Sequence, residues 1–243
     1  MINFFKKGIA VFAFITLSCL GYGQSADNPA PAAADPAAFV TSAPSAPSAA
    51  TEPSVETIVC VRHGEKPSME IGQLDVRGLN RSLELPKVLL GKYGKPQFIF
   101  APDPAKTIGR ADGNQYCYVR PLATIEPTAI LCDLPVNTMY GFKDIQGLET
   151  ELRKPMYQSA VIFVAWEHQF LERFARALVI DLGGDGTQVP AWDKSGMGYD
   201  AIYLIKITTQ NGQSTVEFSV DHEGLDHPSG DFPGSALPTQ SSP

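Results

Sequence analysis

Residues 58–67 read Ile58-Val59-Cys60-Val61-Arg62-His63-Gly64-Glu65-Lys66-Pro67, an apolar run that stops abruptly at an arginine beside a histidine. Four consecutive apolar residues suit a strand covered on both faces. Gly64 lets backbone come close to a ligand because it has no Cβ. An arginine neutralises and orients phosphate through its two-pronged donor fork, and a neutral imidazole can attack phosphorus. The junction therefore holds the ingredients of a phosphoryl-accepting nucleophile. Alone, the tripeptide fits a hydrogen-bonded structural histidine equally well.

The residues that follow shift this balance. Gly72-Gln73-Leu74-Asp75-Val76-Arg77-Gly78-Leu79-Asn80-Arg81-Ser82 fits the pattern Gly-x-Leu-(Thr/Ser/Asp)-x-x-Gly-x-x-(Gln/Arg)-(Ala/Ser). With this motif close behind Arg-His-Gly, the chain resembles the histidine phosphatase superfamily, the phosphoglycerate-mutase-like proteins, over roughly residues 56–210. The resemblance implies that His63 becomes phosphorylated, and that a second histidine and two arginines complete the phosphate pocket.

Short apolar runs alternate with helix-like segments along this region, the pattern of an α/β domain with a largely parallel sheet. The first strand is expected over 57–61. Asp75 can cap the following helix, with Leu79, Leu83 and Leu90 on one face and a bend at Pro86. Strands are expected over 96–100 and 135–140. Pro121 suits the first residue of a helix between them, and Asp144 precedes Ile145, Leu148 and Leu152 at helical spacing. Residues 159–166 form the clearest internal strand. It ends at Glu167-His168 and leads to a helix marked by Phe170, Leu171, Phe174, Ala175 and Leu178 and closed by Gly183-Gly184. Segments 199–208 and 214–220 meet across Asn211-Gly212, a hairpin signal. The expected fold is a single three-layer α/β domain, with a mostly parallel central sheet flanked by helices and a C-terminal antiparallel hairpin. The resemblance implies the same fold.

Residues 1–24 carry Lys6 and Lys7, then an apolar stretch over 9–20, then Gly21 and Gly23, the charge order and small-residue exit of a secretory signal peptide. About a dozen apolar residues are too few to span a bilayer. Thr16-Leu17-Ser18-Cys19 lacks the aliphatic residue expected three places before a lipidated cysteine, which argues against a lipid anchor at Cys19. Residues 25–54 are rich in Ala, Pro and Ser and cannot offset the entropy of ordering, so they read as a disordered linker, as does the tail over 229–243. The domain over 55–228 is long enough for one sizeable core. The expected location is exported, periplasmic or secreted.

The formal charge of −7 becomes about −9 without the leader, which carries two lysines and no acid. Such a chain is a poor general binder of nucleic acid, since polyanion affinity needs a basic face. Any positive charge at a phosphate site must be local. Cys60, Cys117 and Cys132 remain after cleavage; export would permit one disulfide with a thiol left over, while Cys60 in its apolar run suits a buried thiol.

His63 and His168 are 105 positions apart, yet each stands at or just after the end of an apolar strand. In a parallel sheet such ends share the edge where open α/β folds place ligands. For the second arginine, the family pattern is Arg-Ala-x-Gln-Thr-Ala opening a helix. Arg120-Pro121-Leu122-Ala123-Thr124 keeps the spacing of Arg and Thr. A cation at a helix start is disfavoured unless an anion is present. Arg110 is the rival, though Asp112-Gly113-Asn114 after it reads as a turn. Glu167, where the family commonly has Gly or Ser, is a candidate proton donor. Asp133 is another, and Glu167 could instead pair with a pocket arginine. Gly64, Glu65 and Lys66 could line the mouth and bind substrate, with a solvated Glu65-Lys66 pair as the alternative. The polar insert over 103–116 reads as a substrate lid or as a tolerated loop. His222 and His227 lie near the tail with no further ligands, and no metal-spaced cluster stands elsewhere.

The expected chemistry is in-line attack of His63 on a small-molecule phosphomonoester, followed by hydrolysis of the phosphohistidine. Arg62, Arg120 and His168 would stabilise the phosphoryl oxygens, with no metal or cofactor required. Inorganic phosphate would be a second ligand. The alternative is a non-catalytic domain of the same fold that binds phosphate or another anion, motivated by the departures at Glu167 and Arg120.

Overall fold

The computed structural model describes residues 52–109, 113–192 and 198–234. The expected leader, nearly all of the linker, Arg110 and the tail beyond residue 234 lie outside the described residues.

β1 (Ser54–Arg62) is the pivot of the sheet. Its pleat turns Ile58 and Cys60 to one face and Val59 and Val61 to the other, and all four are fully buried. β1 pairs in parallel with β6 (Val161–Trp166) and antiparallel with β7 (Ala201–Gln210). β2 (Phe98–Phe100) and β5 (Val136–Asn137) extend the parallel side, and β8 (Gln213–His222) pairs with β7. The order is β5-β2-β6-β1-β7-β8. A separate two-stranded sheet joins β3 (Thr107–Gly109) to β4 (Gln115–Cys117) inside the polar insert.

Helices cover both faces. Leu85 and Leu89 of α1 (Val76–Tyr93) and Ile125 and Ala129 of α2 (Arg120–Cys132) pack with Val59 and Val61. On the other face, Leu148 and Leu152 of α3 (Ile145–Leu152) and Leu171 and Phe174 of α4 (His168–Asp181) pack with Ile58 and Cys60. Three layers result, with four parallel strands and a terminal antiparallel hairpin. Asn211 (φ 52°) and Gly212 (φ 78°) both take the left-handed conformation of a two-residue hairpin turn.

Two local expectations differ, and one point that the sequence left open, the pairing of the cysteines, is answered. α1 runs through Pro86 and buries Gly78, Ser82, Leu85 and Leu89, while Leu83 is exposed. Positions 78, 82, 85 and 89 fall on one helical face, and Gly78 lets that face approach closely at its start. The strand expected over 135–140 shortens to the two residues of β5, at the sheet edge with a partner on one side only. Finally, Cys60, Cys117 and Cys132 are all free thiols, Cys60 and Cys132 buried and Cys117 exposed.

Candidate active site

β1 and β6 run side by side and end together. Arg62 is opposite Trp166, and His63 N donates to Trp166 O at 3.0 Å. Arg62-His63 and Glu167-His168 therefore leave the sheet at the same edge, which is how register alone closes the gap between two distant histidines.

The motif that follows His63 acts as its mount. Asp75 caps α1 by accepting from Gly78 N at 2.9 Å, and Asp75 N donates to Glu65 O at 2.9 Å. A Cβ on Gly78 would stand 2.3 Å from Glu65 O, so only glycine allows the first turn of α1 to lie against this loop. Gly64 N donates to Thr124 Oγ1 at 2.9 Å, and that hydroxyl donates to Arg120 O at 2.8 Å. The loop is thus tied to both helices of one layer.

His63 is 2 % exposed, and its Nδ1 lies 2.8 Å from Gly64 O. A carbonyl only accepts, so the proton sits on Nδ1 and Nε2 keeps its lone pair. Burial, then the nearby Arg120, with Arg62 and His168 adding less, hold this imidazole well below its ordinary pKa. It is neutral at physiological pH.

Arg120 opens α2. Its amide and that of Val119 both donate to Gly72 O, at 2.9 and 3.0 Å. Gly72 has φ +85°, and a Cβ there would fall 2.0 Å from Cys117 O. The guanidinium lies over the Tyr118 ring, 4.7 Å from its centroid, in a residue 6 % exposed. Its Nε and Nη1 have no hydrogen-bond partner among the described residues. Buried donors left unsatisfied are costly, and these lie close enough to depress the imidazole. An anion between Arg120 and His63 would satisfy both the donors and the charge.

Two further cations flank this point. Arg62 Nη1 donates to Gly198 O at 2.9 Å, and its guanidinium stacks 4.1 Å over the Tyr199 ring. Lys66 pairs with Glu70. Burial, then Arg120 and Arg62, lower its pKa. On the β6 side, Glu167 is the N-cap of α4, accepting from Phe170 N at 3.0 Å through one oxygen, with His168 Nδ1 2.8 Å from the other. Burial pushes Glu167 up, but the bonds from His168 and the Phe170 amide outweigh it and leave the carboxyl below its ordinary range.

The structure thus brings Arg62, His63, Gly64, Arg120, Glu167 and His168 to one edge, with Lys66 beside them. Glu65 does not line the mouth. Its carboxylate is buried against Arg81, whose Nη2 donates to it at 2.8 Å, because Arg81 is itself almost fully buried on α1 and needs a counter-charge. Asp133 caps the far end of α2, a 13-residue helix whose rise puts its ends about 20 Å apart, too far to serve His63. His222 faces Asp200 at 3.3 Å, and His227 lines a separate cleft of about 720 Å³ beside α1. Two aromatic walls escaped the sequence reading: Tyr118 and Tyr199, each with its ring 6.0 Å from that of His63. A tyrosine two positions before the chosen arginine was the one available signal for Tyr118. Among the described residues no group of three or more His, Cys, Asp or Glu is gathered as a metal site requires, and no helix is long and apolar enough to cross a membrane.

No family model matches the sequence, and neither does any curated protein. Solved structures of similar fold exist at low identity. A protein from Nakamurella multipartitia assigned as phosphohistidine phosphatase SixA shares 13% identity, with a TM-score of 0.47, over 72% of this chain and 96% of that one. A mycobacterial glucosyl-3-phosphoglycerate phosphatase shares 14%, with a TM-score of 0.45, over 69% and 97%. A mutant phosphoserine phosphatase from Entamoeba histolytica, in complex with phosphoserine, shares 10%, with a TM-score of 0.42, over 70% and 98%.

Proposed function

We propose that the protein is an exported phosphatase that hydrolyses a small phosphomonoester through a phosphohistidine on His63. The observation that carries this reading is the buried Arg120 guanidinium, two of whose N–H groups have no partner among the described residues, close to a neutral imidazole whose nitrogen not facing Gly64 O is Nε2. In the first step a bond forms from Nε2 to phosphorus and the ester P–O bond breaks. In the second, water attacks phosphorus, the N–P bond breaks and inorganic phosphate leaves. Arg62 and Arg120 bind the phosphoryl oxygens as charge shifts among them, an electrostatic contribution that is large in a water-poor site.

His168 Nδ1 stands 2.8 Å from Glu167, and His168 would complete the set of groups that bind the phosphoryl oxygens. The Glu167 carboxylate balances the charge when the ring donates there. With both oxygens engaged and its acidity increased, Glu167 is an orienting group in this scheme, not the proton donor. Lys66 adds a third positive charge at the mouth. The charge order and small-residue exit of residues 1–24 support export, which fractionation of cells producing the full chain would test.

The experiment is phosphate release from a panel of phosphomonoesters, with acid quenching to trap phosphoprotein, on the full chain and on His63→Ala. The intact protein is expected to turn over and to carry acid-labile phosphate. The variant is expected to lose at least about a thousandfold, as removal of a covalent nucleophile does. Absent turnover in both proteins, with measurable phosphate binding, would instead establish the non-catalytic anion-binding domain.

A further inference from the structure

Expelling an alkoxide from phosphorus calls for a proton, and neither carboxylate considered for the task can supply it: Glu167 is capped and bonded, and Asp133 lies at the wrong end of α2. Tyr118 stands where they do not. It is 1 % exposed, and its hydroxyl, which the Arg120 guanidinium approaches as a donor, gives its own proton to no acceptor among the described residues. Its ring is edge-on to His63 at 6.0 Å and carries the Arg120 guanidinium at 4.7 Å. The groups whose charges act on the phenol are Arg120, Glu167 and Arg62, the same ones that surround the phosphoryl position.

We propose that Tyr118 is the general acid of the phosphatase reaction, donating its phenolic proton to the leaving oxygen. This assignment rests on the phosphatase reading above. As His63 Nε2 bonds to phosphorus and the ester P–O bond breaks, the phenol O–H bond breaks and its proton passes to the departing oxygen. An alcohol leaves, and a tyrosinate remains beside Arg120. When water attacks the phosphohistidine, the tyrosinate accepts the proton that water gives up, and phosphate and neutral Tyr118 are restored. No oxidant, metal or further reactant enters. Burial raises the phenol well above its ordinary pKa, against Arg120, so the proton is in place throughout the neutral range.

The backbone suits a fixed acid. Tyr118 N donates to Lys106 O at 3.0 Å, and the next two amides share Gly72 O. Phe142 packs its ring 4.8 Å away. The small β3–β4 hairpin of the insert therefore delivers one rigid side chain to the site.

The test is the dependence of kcat/KM on the acidity of the leaving group. With alkyl phosphates, Tyr118→Phe is expected to lose about a hundred- to a thousandfold, within the range of general-acid contributions. With 4-nitrophenyl phosphate, whose leaving group departs without a proton, the loss is expected to stay below about tenfold, and that retained activity also reports an intact fold. Equal losses on both substrates would make Tyr118 a pocket wall and overturn the proposal, as would no loss on either. Wild-type protein gives an independent check, because a general acid makes kcat/KM depend only shallowly on leaving-group pKa; a steep dependence overturns the assignment without any variant. Absence of turnover by the wild type on every ester would sink the phosphatase reading and this assignment with it.

Discussion

A histidine with one ring nitrogen tied to the carbonyl of the next residue has a single nitrogen to offer, and His63 offers it uncharged. Because its pKa is depressed, the free ring remains neutral where an ordinary imidazole would be half protonated. After correction for substrate ionisation, kcat/KM is expected to stay level from pH 8 down through pH 6.5 and to fall only in more acid solution. A decline centred near pH 6.5 would contradict the placement of His63 beside Arg120. A second residue carries a perturbation of opposite sign and of structural consequence. Glu56, 3 % exposed at the start of β1, is pushed up to about 8 by burial. The unfolded chain ionises this group near 4.5, so folding stability is fully present below that pH and is lost as pH rises towards 8. Glu56→Gln is accordingly expected to raise stability at pH 8, and to change it little at pH 4.5, in denaturant titrations. Arg62, His63 and His168 were legible because a strand end is visible in sequence. The direction of Glu65 was not, since only the fold reveals that Arg81 is buried beside it.

Within elements, α1 carries two glycines whose surroundings differ sharply. At Gly78 a Cβ would meet the Glu65 backbone at 2.3 Å, whereas at Gly91 it would meet nothing within 4 Å. Gly91→Ala is expected to stabilise the protein by about 0.5–1 kcal/mol, the usual gain at an open helical position. Gly78→Ala is expected to cost about 2 kcal/mol or more through overpacking, and to lower activity because the displaced loop carries His63. Thermal melts of both, with a phosphatase assay, check the pair. The start of this helix was readable from Asp75 and the glycine spacing. Its inner face was not, because Leu79, Leu83, Leu85, Leu89 and Leu90 draw two overlapping apolar stripes, and the contact of Gly78 with the Glu65 loop selects between them. β6 was legible for the converse reason: a run buried on both faces needs no knowledge of its neighbours. β5, at two residues, leaves almost no pattern to find.

Across the whole molecule, one buried arginine joins three distant parts of the chain. Arg81 on α1 holds Glu65, two residues after His63, donates through Nη1 to Glu223 at 2.5 Å, and reaches Leu225 O at 2.7 Å. Removing the cation strands two carboxylates in a dry interior. Arg81→Met is therefore expected to lower stability by about 3–5 kcal/mol, measured by urea unfolding. The sheet has a second long-range property. Because β7 runs against β1, it brings its beginning to the edge that carries His63 and His168, and Tyr199, two residues ahead of Ala201, shields Arg62. The parallel strands instead deliver the residues that follow them. The pocket is assembled from incoming and outgoing stretches of chain, and only the outgoing ones at β1 and β6 bear its two histidines. Because Gly198 O and the Tyr199 ring both hold Arg62, the path by which the chain enters β7 sets where that guanidinium stands, and a shift there would move a cation of the pocket without touching either histidine.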